Sequence, residues 1–162
     1  MNIREASEED LEAVAQILMR TQDLHAQASP ERYSSITFSS AVDLLRPYLG
    51  RDGFWVVIKN SAVLGYAIAE YKKVAESKIL RAREYCYLHQ IGVAESSRGK
   101  GAGKLLIEHL KEECAKRGVK DIELDVWNFN SGARLFFQSC GFELFASKMR
   151  ISHNKSLNGN AR

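Results

Sequence analysis

Between residues 91 and 104 the chain reads Ile91-Gly92-Val93-Ala94-Glu95-Ser96-Ser97-Arg98-Gly99-Lys100-Gly101-Ala102-Gly103-Lys104. An apolar strand pattern enters a turn with three alternating glycines, and an amphipathic helix pattern follows over residues 101–117. Glycines let backbone N–H groups converge, a helix N-terminus adds about half a positive charge, and Arg98, Lys100 and Lys104 add full charges. The turn therefore predicts an anion site, and a pyrophosphate is the ligand we expect there.

Two common phosphate-binding motifs do not match this turn. A Walker A loop needs glycine at position 98 and Ser or Thr at position 105, where the chain has Arg98 and Leu105. A dinucleotide fingerprint that starts at Gly99 needs glycine at position 104, where Lys104 stands. For the glycines alone, the alternative is a tight strand-to-helix turn without a ligand.

A third pattern, Arg/Gln-x-x-Gly-x-Gly/Ala, is met by Arg98, Gly101 and Gly103, and here the chain resembles the GNAT superfamily of N-acetyltransferases. Residues 130–142 match the second signature of that family, Asn-x-x-Ala-x-x-x-Tyr-x-x-x-Gly-Phe, except that Phe137 replaces the tyrosine. The resemblance covers about residues 2–151. It implies a GNAT-like single domain of the α/β (α+β) class. The central sheet should be mixed, mostly antiparallel and splayed at the cofactor site, with helices on both faces.

Apolar periodicity and turn residues predict the elements along the chain. We expect strands over residues 2–6, 54–58, 63–71, 85–93 and 121–127, and one or two final strands over 142–151. A capping box of Ser7 and Asp10 should open the first helix, and Ser39 or Ser40 should cap a short second one. Further helices are expected over 101–117 and 131–140. Residues 59–61 should form a turn, and the polar segment 21–38, which contains Pro30, should be a loop.

Length and composition predict one globular domain. The chain has 162 residues and a mass of 18.2 kDa, with 45% hydrophobic and 27% charged residues. We expect the GNAT domain over residues 1–152. Residues 153–162 lose apolar periodicity and should form a disordered tail.

The net charge, the cysteines and the lack of long apolar runs indicate which ligands and partners to expect. A net charge of +3 and a pI near 8.8 suit a small anionic ligand and are too weak to indicate nucleic acid. The three cysteines show no metal-ligand spacing, so we expect reduced, buried thiols and no metal site. No signal region and no membrane-spanning run is present, which predicts a cytoplasmic protein without a membrane partner.

The resemblance implies that acetyl-CoA is the co-substrate. The backbone at Ile91 and Val93 should hold its pantetheine arm, and Gly92 should let it approach closely. The diphosphate should lie on the turn and the helix N-terminus, at Arg98, Gly99, Lys100, Gly101, Ala102, Gly103 and Lys104. Asn130 and Arg134 should complete the cofactor site, and for Asn130 a helix N-cap is an equally good interpretation.

The resemblance also suggests catalytic residues. The attacking amine must lose a proton, and family members often carry an acidic residue two positions before the Ile91 site. Here that position is His89, which is a competent base or a partly buried structural histidine. Glu84 is a weaker candidate. Phe137 has no proton for the leaving thiolate, which leaves three interpretations: unaided departure, another donor (Tyr85, Tyr87 or Cys140), or weak or absent catalysis.

The sequence gives less information about the residues that would bind the acceptor amine. His25, Tyr33 and Tyr87 are candidate substrate contacts, although ordinary polar loop residues would look the same. The function implied is transfer of an acetyl group from acetyl-CoA to a primary amine by direct attack. The alternative, motivated by Phe137, is a non-catalytic acyl-CoA sensor. The expected partners are acetyl-CoA and an amine, and a homodimer is compatible with the sequence.

Overall fold

The computed structural model describes residues 1–151, which form five strands and four α-helices. The predicted disordered tail lies outside the described residues. The strands are β1 (Asn2–Glu5), β2 (Phe54–Lys59), β3 (Ala62–Val74), β4 (Arg83–Val93) and β5 (Asp121–Glu123). The helices are α1 (Leu11–Ala28), α2 (Phe38–Leu45), α3 (Ala102–Lys116) and α4 (Ser131–Ser139).

The strands form one sheet in the order β1-β2-β3-β4-β5. The first three pairs are antiparallel, and β4 and β5 are parallel because α3 carries the chain back between them. The β2–β3 hairpin turns at Asn60 and Ser61, which both have positive φ, as a tight two-residue turn requires. The predicted mixed, mostly antiparallel sheet is confirmed.

Helices cover both faces of this sheet, as predicted. Side chains along β2 alternate between the two faces: Phe54 and Val56 pack with α1 and α2, and Trp55 and Val57 pack with α3 and α4. Cys86, Cys114 and Cys140 are all buried and free. The two cores hold the sheet between helix layers.

The N-terminal helix starts as predicted and ends later. The capping box of Ser7 and Asp10 is present. The predicted loop over residues 21–38 is wrong for its first part, because α1 continues to Ala28 and meets no helix breaker before Pro30, whereas residues 29–37 contain no helix or strand, as predicted. The predicted caps Ser39 and Ser40 are also wrong, since Thr37 accepts the hydrogen bond from the backbone N–H of Ser40.

Two strand predictions fail at the C-terminal edge of the sheet. β5 ends at Glu123 instead of residue 127, because the chain leaves β4 there. Residues 142–151 form no strand. β5 is the last strand in the sheet order, and within residues 1–151 nothing pairs with its outer edge.

Candidate active site

The glycine turn opens α3 with backbone groups that have no partner. Gly99 and Gly101 have φ of 72° and 87°, and a Cβ at either position would meet open space. Their N–H groups have no backbone acceptor among the described residues. No side chain in the described part of the chain caps α3, and the N–H groups of its first turn lack intrahelical acceptors. These convergent donors can bind the oxygen atoms of a phosphate.

The side chains of the turn add positive charge in solvent. Arg98, Lys100 and Lys104 are all exposed. None of the three forms an ion pair within residues 1–151. The turn therefore presents uncompensated positive charge beside free N–H donors, and an anion with several negative charges fits it.

At two glycines of this region, a larger residue would clash with its neighbours. A Cβ on Gly92 would lie 2.7 Å from Tyr66 Cε1 and 2.8 Å from Ile17 Cγ2. A Cβ on Gly103 would lie 3.1 Å from Phe136 Cζ on α4. Close contact of β4 with α1, and of α3 with α4, accounts for both residues, and their contact with a cofactor stays a prediction.

β4 separates from β5 before it reaches the turn. The two strands pair only from Tyr85 with Asp121 to Tyr87 with Glu123, whereas β4 continues to Val93. Ile91 and Val93 pack against the α3 side of the sheet. Along residues 88–93, the backbone edge that faces away from β3 has no strand partner within residues 1–151, so its N–H and C=O groups can bind an extended ligand.

A β-bulge lies in the middle of β4. Ile68 pairs with Gln90 and Ala69 pairs with Leu88, so His89 is an extra residue in the ladder. Leu88 is in the core under α3. On the opposite face, Gln90 accepts a hydrogen bond from Tyr66, and the His89 ring lies 6.3 Å from that of Tyr48. The bulge thus turns two consecutive polar side chains towards α1 and α2.

His89 has a carboxylate partner that orients its ring. Its Nε2 lies 2.9 Å from Glu70 Oε2, and this hydrogen bond lowers the pKa of Glu70. A carboxylate only accepts, so Nε2 carries the proton and Nδ1 is left as the acceptor of the neutral ring. The side chain of His89 is 25% exposed, which gives water access to it.

Tyr87 lies beside His89 on the same strand. The two rings are 4.8 Å apart in an edge-on arrangement, and the Tyr87 hydroxyl donates a 2.8 Å hydrogen bond to Asp125 Oδ2. Lys72 Nζ lies 4.8 Å from the centre of the Tyr87 ring. Burial, with the hydrogen bond to Asp125, raises the pKa of Tyr87 to about 12, so the phenol keeps its proton at neutral pH.

An aromatic cluster joins the end of α1 to the chain after β5. It consists of His25, Tyr33, Trp127 and Phe129, with adjacent ring centres 5.4 to 6.3 Å apart. The guanidinium of Arg32 lies 4.5 Å above the Trp127 ring. Burial lowers the pKa of His25, which keeps its ring neutral. Sequence reasoning missed the Trp127–Phe129 pair, although two aromatic residues just before the second signature were a usable signal.

The second signature places its residues on α4. Asn130 caps this helix, since its Oδ1 accepts a 3.1 Å hydrogen bond from the Ala133 N–H, which confirms the N-cap interpretation. Arg134 is exposed and donates a 3.4 Å hydrogen bond to Asn128. Phe137 is buried with 8% exposure, between Phe136 and Phe142.

Glu84 lies apart from His89 and Tyr87. It is exposed and pairs with Lys73 at 2.7 Å. His89 lies five positions further along the strand, a distance of about 16 Å. In the part of the chain that the structure describes, no cluster of His, Cys, Asp or Glu could hold a metal ion, and no helix is long and apolar enough to cross a membrane.

Comparisons with known proteins agree with this geometry. An uncharacterised N-acetyltransferase of Methanocaldococcus jannaschii is 34% identical over 92 residues, which cover 57% of this chain and 39% of the relative. The match thus spans well under half of that relative's length. A single-site variant of a protein from Bacillus halodurans has the same fold, with a TM-score of 0.86 and 24% identity over 94% of this chain and 99% of that one.

An aminoglycoside antibiotic 6′-N-acetyltransferase from Acinetobacter haemolyticus also shares the fold. Its TM-score is 0.69 and its identity is 16%, over 94% of this chain and 97% of that one. The model of the acetyltransferase (GNAT) family matches residues 12–142, which include the glycine turn and the second signature. The chain therefore belongs to the GNAT family of acetyltransferases.

Proposed function

We propose that the protein transfers an acetyl group from acetyl-CoA to a primary amine by direct attack. The observation that carries the proposal is the glycine turn, whose N–H groups and basic side chains lack partners within residues 1–151 and which follows the part of β4 that has separated from β5. A ligand with a diphosphate at one end and an amide-bearing arm at the other fits this pair of features. Acetyl-CoA has both.

The arm of the cofactor would lie along the free edge of β4. Amide groups of pantetheine can replace the missing strand by hydrogen bonding to the backbone at Ile91 and Val93. Arg98, Lys100 and the free N–H groups of Gly99 and of residues 101–104 would bind the diphosphate. Asn130 and Arg134, at the start of α4, are the remaining residues that we assign to this ligand.

The acceptor would bind on the α1 and α2 side of the sheet. The bulge directs His89 to that side, with Tyr87, Tyr48 and the carboxylates of Glu70 and Asp125 around it. His25 and Tyr33 contribute from the aromatic cluster. An amine with an apolar or aromatic body and a second polar group suits these surroundings.

The chemistry requires two proton movements. The amine nitrogen forms a bond to the thioester carbon and loses a proton, for which His89 Nδ1, directly or through water, is the proposed acceptor. A backbone N–H at the end of β4 would stabilise the oxyanion. The carbon–sulfur bond then breaks, and the thiolate takes a proton from solvent.

One observation favours a second function. Phe137 is buried among other phenylalanines and offers no proton, which suits a protein that binds an acyl-CoA without turning it over. Release of free thiol from acetyl-CoA with a panel of amines tests the proposal. We expect thiol release that needs both substrates. The sensor function predicts stabilisation by acetyl-CoA, about 2.7 kcal/mol at 100 times the dissociation constant, with no thiol release.

A further inference from the structure

A primary amine of the chain itself lies close to His89. Lys72 is on β3, where it pairs with Tyr85 of β4. Its Nζ lies 4.8 Å from the centre of the Tyr87 ring. The same Nζ lies 3.6 Å from Oε2 of Glu70, the oxygen that also contacts Nε2 of His89. An ammonium group of the chain thus stands beside the residue that we propose as the base.

The alternation of β3 puts Lys72 on the acceptor side of the sheet. Tyr71, the residue before it, packs on the α3 side, so Lys72 points to the opposite face together with Glu70. Lys73 points away from that face, is 79% exposed and pairs with Glu84 at 2.7 Å. Of these two neighbouring lysines, Lys72 is therefore the one on the side from which an acceptor would approach.

The opening between β4 and β5 ends at the level of this lysine. The two strands separate beyond the pair of Tyr87 and Glu123. A pantetheine arm that follows the edge of β4 from Val93 has room as far as this pair, where β5 takes up the edge. The thioester at the end of the arm would then reach the level of Tyr87, whose ring lies under Lys72 Nζ. The lysine amine and the thioester can therefore meet without an added acceptor.

The contacts of Lys72 allow its side chain to move. Its ion pair with Glu70 is long, at 3.6 Å, and the two side chains are 35% and 59% exposed. An ion pair in such contact with water is weak. The lysine stem is flexible, whereas Glu70 keeps its 2.9 Å contact with His89 when the lysine leaves. Nζ can thus approach a thioester carbon while the base stays in place.

We propose that Lys72 accepts an acetyl group from the acetyl-CoA bound to the same molecule when no other amine is present, an inference that rests on the acetyl transfer proposed above. The ammonium group first gives one proton to water. Nζ then forms a bond to the thioester carbon, a further proton passes from Nζ to Nδ1 of His89, and the carbon–sulfur bond breaks. The thiolate takes a proton from solvent. The products are coenzyme A and an uncharged N-acetyl-lysine, which can no longer pair with Glu70.

Mass spectrometry of the chain after incubation with acetyl-CoA alone tests this inference. Direct reaction of lysines with acetyl-CoA from solution depends on their exposure, so it would modify Lys73, at 79%, before Lys72, at 35%. We expect the reverse order, with Lys72 acetylated about tenfold faster than Lys73 or more, because the bound thioester is held beside it. The rate constant should not depend on the protein concentration, since donor and lysine belong to one molecule.

Arginine at each of the two positions supplies a matched pair of variants. Lys72→Arg keeps the positive charge and removes the nucleophile, so the fast acetylation should disappear. Lys73→Arg, one residue away on the other face, should leave the acetylation rate of Lys72 unchanged. His89→Gln should slow that acetylation by about 10²-fold. Circular dichroism melts verify that each variant folds, and assignment of the acetylated lysine in the unchanged chain needs no variant.

The outcomes separate failure of this inference from failure of the proposed function. Suppose that the chain releases thiol with added amines. Acetylation of Lys72 that is no faster than that of Lys73, or whose rate constant rises with protein concentration, would then overturn the inference alone. A chain that releases no thiol with any amine and shows no acetylated Lys72 would overturn both. Fast acetylation of Lys72 in a chain that acetylates no added amine would support the inference, with the chain's own lysine as the amine.

Discussion

At the scale of single residues, the position of His89 depends on the backbone as well as on the side chain. The bulge removes His89 from the ladder with β3 and turns its ring towards α1 and α2. Glu70 then holds Nε2, which leaves Nδ1 as the atom that can accept a proton. One ring nitrogen, Nε2, therefore orients the imidazole, and the other, Nδ1, is available for the reaction.

Replacement of His89 by glutamine tests its role as the base. His89→Gln keeps a donor for Glu70 but cannot take up a proton, so we expect kcat to fall by about 10²-fold or more. Glu70→Gln is the comparison variant and should cause a smaller loss, because it only disturbs the orientation. The measurement is kcat from pH 6 to pH 9. Wild-type values across that range in His89→Gln would make His89 structural.

A tyrosine at position 137 restores the hydroxyl that the family usually has there. Phe137→Tyr should raise turnover by no more than about tenfold, because a thiolate leaves fairly well unaided. The ring is buried, so an unpaired hydroxyl should cost about 1–3 kcal/mol of stability. Phe38→Tyr, at a position 41% exposed, is the control and should not change the melting temperature. Unchanged turnover with intact acetyl-CoA binding would assign the proton to solvent or to another group.

At the scale of elements, the junction of β1 and α1 depends on one carboxylate. Asp10 is 4% exposed, and it accepts hydrogen bonds from Arg4 Nη2 at 2.8 Å and from the Ser7 N–H at 2.8 Å. Burial alone would raise the pKa of Asp10, but the bonds from Arg4 and Ser7 outweigh it, and the pKa is lowered. A carboxylate with a lowered folded-state pKa stabilises the fold above its unfolded pKa, near 3.9. That contribution is lost as the pH falls through the folded-state value.

Denaturant titrations at pH 7 and pH 3 check this dependence. Asp10→Asn should lower the free energy of unfolding by about 1–3 kcal/mol at pH 7, and the difference should shrink at pH 3. Asp43→Asn, on the exposed side of α2, should have little effect at either pH. A difference for Asp10→Asn that is equal at both pH values would show that the cap does not act through its charge.

Local sequence patterns predicted the elements whose conformation depends only on residues that are close together in the chain. The glycine turn before α3, the capping box at Ser7 and the turn at Asn60 are of this kind. The bulge at His89 depends on the register with β3, and the Trp127 cluster depends on where α1 ends, so neither follows from spacing alone. Residues 142–151 have strand-like side chains but form no strand, although the outer edge of β5 is free within residues 1–151, so strand propensity alone does not decide this element.

At the scale of the whole molecule, two helix layers hold the sheet and leave one opening in it. α1 and α2 cover one face and α3 and α4 the other, while β4 and β5 separate beyond Tyr87. The glycine turn lies on the α3 side of that opening, and the side chains of His89 and Gln90, at the bulge, point to the α1 side. A donor and an acceptor can therefore approach β4 from opposite faces and meet at the opening.

Calorimetry of acetyl-CoA binding to the unchanged chain and to two glycine variants tests this account most directly. Gly101 and Gly118 stand at the two ends of α3, with φ of 87° and 71° and open space around each Cβ position. Both Gly101→Val and Gly118→Val thus strain the backbone in a similar way. We predict that the unchanged chain and Gly118→Val bind acetyl-CoA with the same affinity and that Gly101→Val does not bind it. Equal affinity in Gly101→Val would contradict the assignment of the turn as the diphosphate site.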